Sequence, residues 1–128
     1  MPPDPKAAPV RILVVDDDEC VRSVLADILA SEGYDVETAS DGIQAVSRAQ
    51  AVRPDVVITD IFMPHMDGLE TIRALRRLCP DARIIATSGG GRNLRYEFLR
   101  HAVAFGAIRR LKKPLEFGRL LEVIRGED

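Results

Sequence analysis

The chain has 128 residues, 46% hydrophobic and 30% charged, a balance that fits one ordinary water-soluble domain and excludes fibrous, low-complexity and multi-domain architectures. No run approaches the roughly 20 apolar residues that cross a bilayer, and the N-terminal segment lacks an apolar signal-type stretch, so neither membrane insertion nor secretion is expected. The formal net charge of −2 conceals a split: residues 1–70 carry 14 acidic and 5 basic side chains, a balance of −9, and residues 71–128 carry 6 acidic and 13 basic, a balance of +7. Such polarity marks either an acidic cation site in one half and a basic partner surface in the other, or merely unrelated solvated faces. Cys20 and Cys79 show no metal-type spacing and read as free thiols in a reducing, cytoplasmic compartment.

In chain order, residues 1–9 carry Pro2, Pro3, Pro5 and Pro9 and read as a disordered tail, with a single domain over 10–128. A first strand is expected over 11–16, where Ile12 to Val15 are apolar without alternation. A helix follows, its stripe of Val21, Val24, Leu25, Ile28 and Leu29 running at helical spacing to a stop at Gly33. A strand over 35–39, a helix over 42–52 and a second unbroken apolar strand over 56–60 come next. The pattern continues with a helix over 69–78, a strand over 83–88, a helix over 93–105, a strand over 107–112 and a last helix over 115–124. Five strands alternating with five helices, two of the strands apolar on both sides, specify an α/β domain with a parallel sheet covered on both faces.

Right-handed crossovers place every strand C-terminus at one sheet edge, where open α/β sheets bind ligands. The residues ending the expected strands are Asp16, Asp17 and Asp18, then Asp60, Ser88, and Lys112 and Lys113. Singly, Asp18 reads as a helix cap, Asp60 as a turn residue, Ser88 as part of a glycine loop and Lys113 as a solvated charge. Jointly they make a carboxylate cluster with a hydroxyl and an ammonium nearby. Carboxylates in such proximity repel one another unless a cation intervenes, and Mg²⁺, which takes one or two carboxylates, several waters and a phosphate oxygen, suits the set. An aspartate beside such a cation can attack phosphorus, with lysine and serine binding the phosphoryl oxygens.

Four segments occur in order: Val14 to Asp18; Asp60-Ile61-Phe62-Met63-Pro64-His65-Met66-Asp67-Gly68; Ser88-Gly89; and Gly106-Ala107 with Lys113-Pro114. Together, over about residues 10–125, they resemble the receiver domains of bacterial two-component response regulators. The resemblance implies a doubly wound (βα)5 flavodoxin-like fold with a five-stranded parallel sheet of order 2-1-3-4-5. It implies that Asp60 accepts a phosphoryl group from a histidine kinase or histidine phosphotransfer protein, that Asp16, Asp17, Asp60 and the Phe62 carbonyl hold Mg²⁺, and that Ser88 and Lys113 contact the phosphoryl oxygens. It further implies a phosphoacceptor switch that assists its own phosphorylation and dephosphorylation, not an enzyme with a separate substrate. The length expected for one domain assigns the output to another molecule, a downstream protein bound on the face made by the fourth helix, fifth strand and fifth helix. Direct nucleic-acid or membrane contact is not expected, and the working state is a monomer or weak homodimer.

Three features depart from the family pattern. Arg110 stands three residues before Lys113, where relatives commonly carry an aromatic residue that swings inward; a guanidinium needs a partner when buried, so Arg110 is expected to stay outward on a basic partner surface. The run Gly89-Gly90-Gly91 predicts a loop of high backbone freedom. Phe62, two residues after Asp60, predicts restricted access for an attacking water and a longer-lived phosphoryl group. His65 and His101 read as surface residues, and the arginines at 73, 76, 77, 92, 95 and 100 suggest an acidic protein partner, since no helix-turn-helix segment is present. Two other readings stand beside this one. A receiver-like interaction module that is never phosphorylated would look similar, whereas a haloacid-dehalogenase-like phosphatase needs an aspartate where Phe62 stands, and a cap domain.

Overall fold

An apolar strand without alternation has to be covered on both faces, and that requirement organises the molecule. The computed structural model describes residues 10–60, 68–89, 109–113 and 116–126, the side chains at 68, 69, 88, 89 and 109–113 excepted. The strands are β1 (Arg11–Val15), β2 (Asp35–Ala39), β3 (Val56–Asp60), β4 (Arg83–Gly89) and β5 (Arg109–Lys113). They form one parallel sheet of order β2-β1-β3-β4-β5, with β1 and β3 joined from Ile12 opposite Val56 to Val15 opposite Thr59. The helices are α1 (Glu19–Ser31), α2 (Gly42–Val52), α3 (Gly68–Leu78) and a C-terminal helix, Phe117–Arg125. The helix expected over 93–105 lies outside the described residues, as do residues 1–9.

Alternate residues of the buried strands feed two separate cores. Leu13, Val15, Val57, Ile84 and Ala86 pack with Ala45 and Ala49 of α2 and Ile72 and Leu75 of α3. On the other face Ile12, Val14, Val56, Ile58 and Ile85 pack with Leu25 and Leu29 of α1 and with Leu120, Val123 and Ile124 of the C-terminal helix. A one-residue slip of β1 or β3 would exchange the two sets, so register and topology are fixed together. Among the described residues no helix is long and apolar enough to cross a membrane.

The starts of α1 and α2 are closed by side chains. Asp18 caps α1 by accepting from the N–H groups of Cys20 and Val21, and α1 stops at Gly33, whose φ of 94° suits glycine. Asp41 accepts from the Gln44 N–H at 2.8 Å, and the Gln44 side chain accepts from the N–H of Ser40, just before the cap, at 3.0 Å, so both side chains serve the start of α2. At the opposite ends three arginines meet backbone carbonyls. Arg11 donates to the Val52 carbonyl at the end of α2, Arg76 to those of Pro80 and Ala82 after α3, and Arg83 to those of Val123 and Ile124 in the last turn of the C-terminal helix.

Boundaries differ from expectation by one or two residues. β1 ends at Val15, and the carbonyl of the next residue, Asp16, accepts from Arg22. β4 runs on to Gly89, and the C-terminal helix starts at Phe117, after Glu116 in extended conformation. Both cysteines are free thiols, Cys20 exposed and Cys79 buried; burial pushes the Cys79 thiol above its usual range, with Arg53 and Arg76 pulling against the shift. Within α1, Leu29 is fully buried while Val24 is 47% exposed. Urea unfolding is therefore expected to show Leu29→Ala losing about 2–5 kcal/mol and Val24→Ala changing stability by no more than about 0.5 kcal/mol.

Candidate functional site

The parallel pairing of β1 with β3 sets Val15 opposite Thr59, so Asp16, just past the end of β1, and Asp60, the last residue of β3, stand side by side. Both carboxylates are almost wholly buried, Asp16 2% and Asp60 6% exposed, whereas Asp17 is exposed. Carboxylate oxygens of Asp16, Asp17 and Asp60 all lie within 4.8 Å of one another. The structure thus gathers three of the aspartates that the sequence singles out, from positions 43 and 44 residues apart in the chain.

Asp18, the fourth acid of the expected cluster, has a different task. Its Oδ1 accepts from the Cys20 N–H at 2.8 Å and the Val21 N–H at 3.3 Å, which commits its carboxylate to the start of α1. Its own N–H donates to Asp16 Oδ1 at 2.9 Å, so the cap residue also steadies the neighbouring carboxylate. Asp16 is tied twice more, its N–H donating to the Ala39 carbonyl at 3.1 Å and its carbonyl accepting from Arg22 Nη1 at 2.7 Å. Sequence reasoning missed Arg22; the one available signal is a cation in the first turn of the helix that follows the acidic strand end.

Strand register places the remaining residues at the same edge. Asp60 pairs with Thr87 of β4, so Ser88 is one residue beyond that rung, and Gly89 pairs with Lys113 at the end of β5. The side chains of Ser88, Arg110 and Lys113 lie outside the described structure, as do Phe62 and His65. Thr59 and Thr87, both buried beside the cluster, are polar residues the sequence did not single out; Thr59 Oγ1 donates to the Asp60 carbonyl at 3.1 Å.

An all-oxygen set of three carboxylates, two of them nearly stripped of solvent, fits a small hard divalent cation such as Mg²⁺. Bringing three negative charges this close is unfavourable by Coulomb repulsion, and a doubly charged ion reverses the sign of that energy. The exposed Asp17 leaves one side of the cluster open to water, as suits an ion that keeps part of its hydration shell.

Comparison with known proteins gives a consistent answer. The family model described as the response regulator receiver domain matches residues 12–125. The chain is 37% identical over 123 residues to the chemotaxis protein CheY of Treponema pallidum, covering 94% of this chain and 83% of that protein. It is 49% identical over 77 residues to the response regulator MprA of a Mycobacterium species, a match that covers 60% of this chain but only 34% of that longer protein. Among solved structures, chemotaxis protein CheY4 of Vibrio cholerae superposes with a TM-score of 0.83 at 33% identity, over 93% of this chain and 98% of that one. A response regulator from Burkholderia pseudomallei, solved with a phosphorylated aspartic acid, a calcium ion and citrate, gives 0.80 at 29% identity over 92% and 72%.

The division of labour among the three consecutive aspartates is open to a direct check. Asp18→Ala should cost about 0.5–2 kcal/mol in urea unfolding while Mg²⁺ binding, followed by calorimetry, persists. Asp16→Asn should abolish that binding with the fold intact by circular dichroism.

Proposed function

Since the chain belongs to the response regulator receiver domain family, we propose that it is a phosphorylation-dependent signalling switch whose phosphoacceptor is Asp60. The observation that carries this reading is the position of Asp60: at the C-terminal end of a strand buried along its whole length, with carboxylate oxygens within 4.8 Å of those of Asp16 and Asp17. The presence of a phosphorylated aspartate and a divalent cation in the Burkholderia relative supports it.

In this reading Asp16, Asp17, Asp60 and the Phe62 carbonyl hold Mg²⁺, which when bound draws charge off the phosphoryl oxygens. A carboxylate oxygen of Asp60 forms the bond to phosphorus as the bond from phosphorus to the donor's imidazole nitrogen breaks, the electron pair staying on that nitrogen. Burial fixes Asp60 in one place, and its strand holds that place rigidly, so the approach is oriented before the donor arrives. Ser88 and Lys113, which strand register carries to the same edge, hydrogen-bond the transferred oxygens. The donor is a histidine kinase or a histidine phosphotransfer protein, and the chain acts in the cytoplasm as a switch, not as an enzyme on a separate substrate. Phosphorylation biases a two-state equilibrium in the segments after β3 and β4 and so remodels the face that includes β5 and the C-terminal helix for a downstream protein. β5 carries Arg109, Arg110 and Lys112 in its sequence and the C-terminal helix carries the exposed Arg119, a basic composition suited to an acidic partner.

Incubation with a small acyl phosphate and Mg²⁺ should add one phosphoryl group by intact-mass measurement, and the addition should vanish without Mg²⁺ or in Asp60→Asn. Labelling retained in Asp60→Asn would refute the assignment, and a wild-type chain that takes no label would favour an unphosphorylated interaction module. The apolar residue at position 62 yields a further expectation. Phe62→Asn should shorten the lifetime of the phosphorylated form in a chase after donor removal, and an equal or longer lifetime would count against a role for Phe62 in restricting water.

A further inference from the structure

We infer that Arg22 sets the cation affinity of the acidic cluster, its fixed positive charge behind Asp16 weakening the hold of the three carboxylates on a divalent ion. The inference rests on reading the cluster as a cation site. Arg22 lies in the first turn of α1, where its N–H donates to the Asp18 carbonyl at 3.0 Å. From there its half-buried side chain reaches back past the helix start, and Nη1 donates to the Asp16 carbonyl at 2.7 Å. That contact is charge-assisted on the donor side, and a guanidinium does not deprotonate in a protein. A permanent unit charge therefore sits on the backbone side of Asp16, within the same residue's reach of the carboxylate that faces Asp17 and Asp60.

The contact carries two effects of opposite sign. As a tie, it helps hold the end of β1, and its loss would loosen the site and weaken cation binding. As a charge, it repels any doubly charged ion in front of Asp16, and its loss would tighten binding. The tie is redundant, because Asp16 stays fixed through its N–H to Ala39 and through Asp18 N–H to its Oδ1. Neither of those two contacts carries a positive charge, so the charge goes when Arg22 goes. The guanidinium sits in a partly buried contact with the carbonyl of the same residue whose carboxylate belongs to the cluster, a setting in which salt screens poorly. The electrostatic effect therefore dominates, and Arg22 keeps the ion exchangeable while relieving part of the repulsion among the carboxylates when no ion is bound.

The test is calorimetric titration of MgCl₂ into the full-length wild type, Arg22→Met, Arg22→Gln and Arg22→Lys at one ionic strength, with thermal midpoints recorded for each. The two neutral variants should bind roughly tenfold more tightly, and Arg22→Lys, which keeps the charge but not the fork, should stay within about twofold of wild type. Equal or weaker binding by whichever neutral variants remain folded would overturn the inference and leave Arg22 as a structural tie. Tightening of the lysine variant to match them would overturn it too, since the charge would then not be the cause. Acyl-phosphate labelling of the wild type separates this from the proposed function. A chain that takes no label but shows the expected Mg²⁺ series loses the phosphoacceptor reading alone, and a labelled chain with a flat series loses the Arg22 inference alone.

Discussion

The burial of two neighbouring parallel strands on both faces is the constraint on which the rest of this molecule depends. β1 from Ile12 onward and β3 throughout are buried, and their alternate side chains belong to two cores built with different pairs of helices. Neither strand can slide or turn over without exchanging those sets, so their ends are fixed relative to each other to within a rung of the sheet. Asp16 and Asp60 stand at those ends. Their proximity is unfavourable when considered alone, and it is sustained by apolar burial some residues away, where Ile12 to Val15 and Val56 to Ile58 are 2% exposed or less. The core thereby holds together a charge arrangement that the site would not adopt by itself.

The two edges of the sheet treat charge in different ways. At the C-terminal edge carboxylates are gathered, and at the N-terminal edge arginines are matched to peptide carbonyls. Arg11, Arg76 and Arg83 each donate to carbonyls at the ends of helices or in the turn that follows, where the helix dipole is negative. These cations are committed to the scaffold, so the positive balance of residues 71–128 is not all partner surface: Arg76 and Arg83 belong to structure. Exposed ion pairs such as Glu32 with Arg125, at 3.8 Å, contribute little beside them.

What could be read from the sequence follows the range of the interaction involved. Strands buried on both sides announce themselves by unbroken apolar runs, and the bounds of α2, β2 and β3 coincide with expectation because capping residues and apolar runs are local signals. The cluster of Asp16, Asp17 and Asp60 was legible through the rule that strand ends share an edge. The separate fates of Asp16, Asp17 and Asp18 were not, since three identical neighbours differ only in the direction the backbone takes on leaving the strand. Arg11 and Arg83 were illegible for another reason. Each meets carbonyls about 40 residues further along the chain, and nothing in the local pattern marks which arginine will find which helix end.

β4 connects the two edges and the two kinds of chemistry. Its first residue, Arg83, fastens the last turn of the C-terminal helix, and its last residues, Ser88 and Gly89, stand beside the rung that carries Asp60. The helix it fastens is closed at its far end by Arg83 and by Gly126 at φ 77°, but at its near end Glu116 supplies no side-chain cap. Of the two ends of this helix, the described contacts therefore close the one at the N-terminal edge of the sheet. The strand cores and the arginine ties together hold the N-terminal edge of the sheet in place. The sheet that gathers the carboxylates is thus secured from the edge opposite to them, and the register of β1 against β3 carries that rigidity to Asp16 and Asp60.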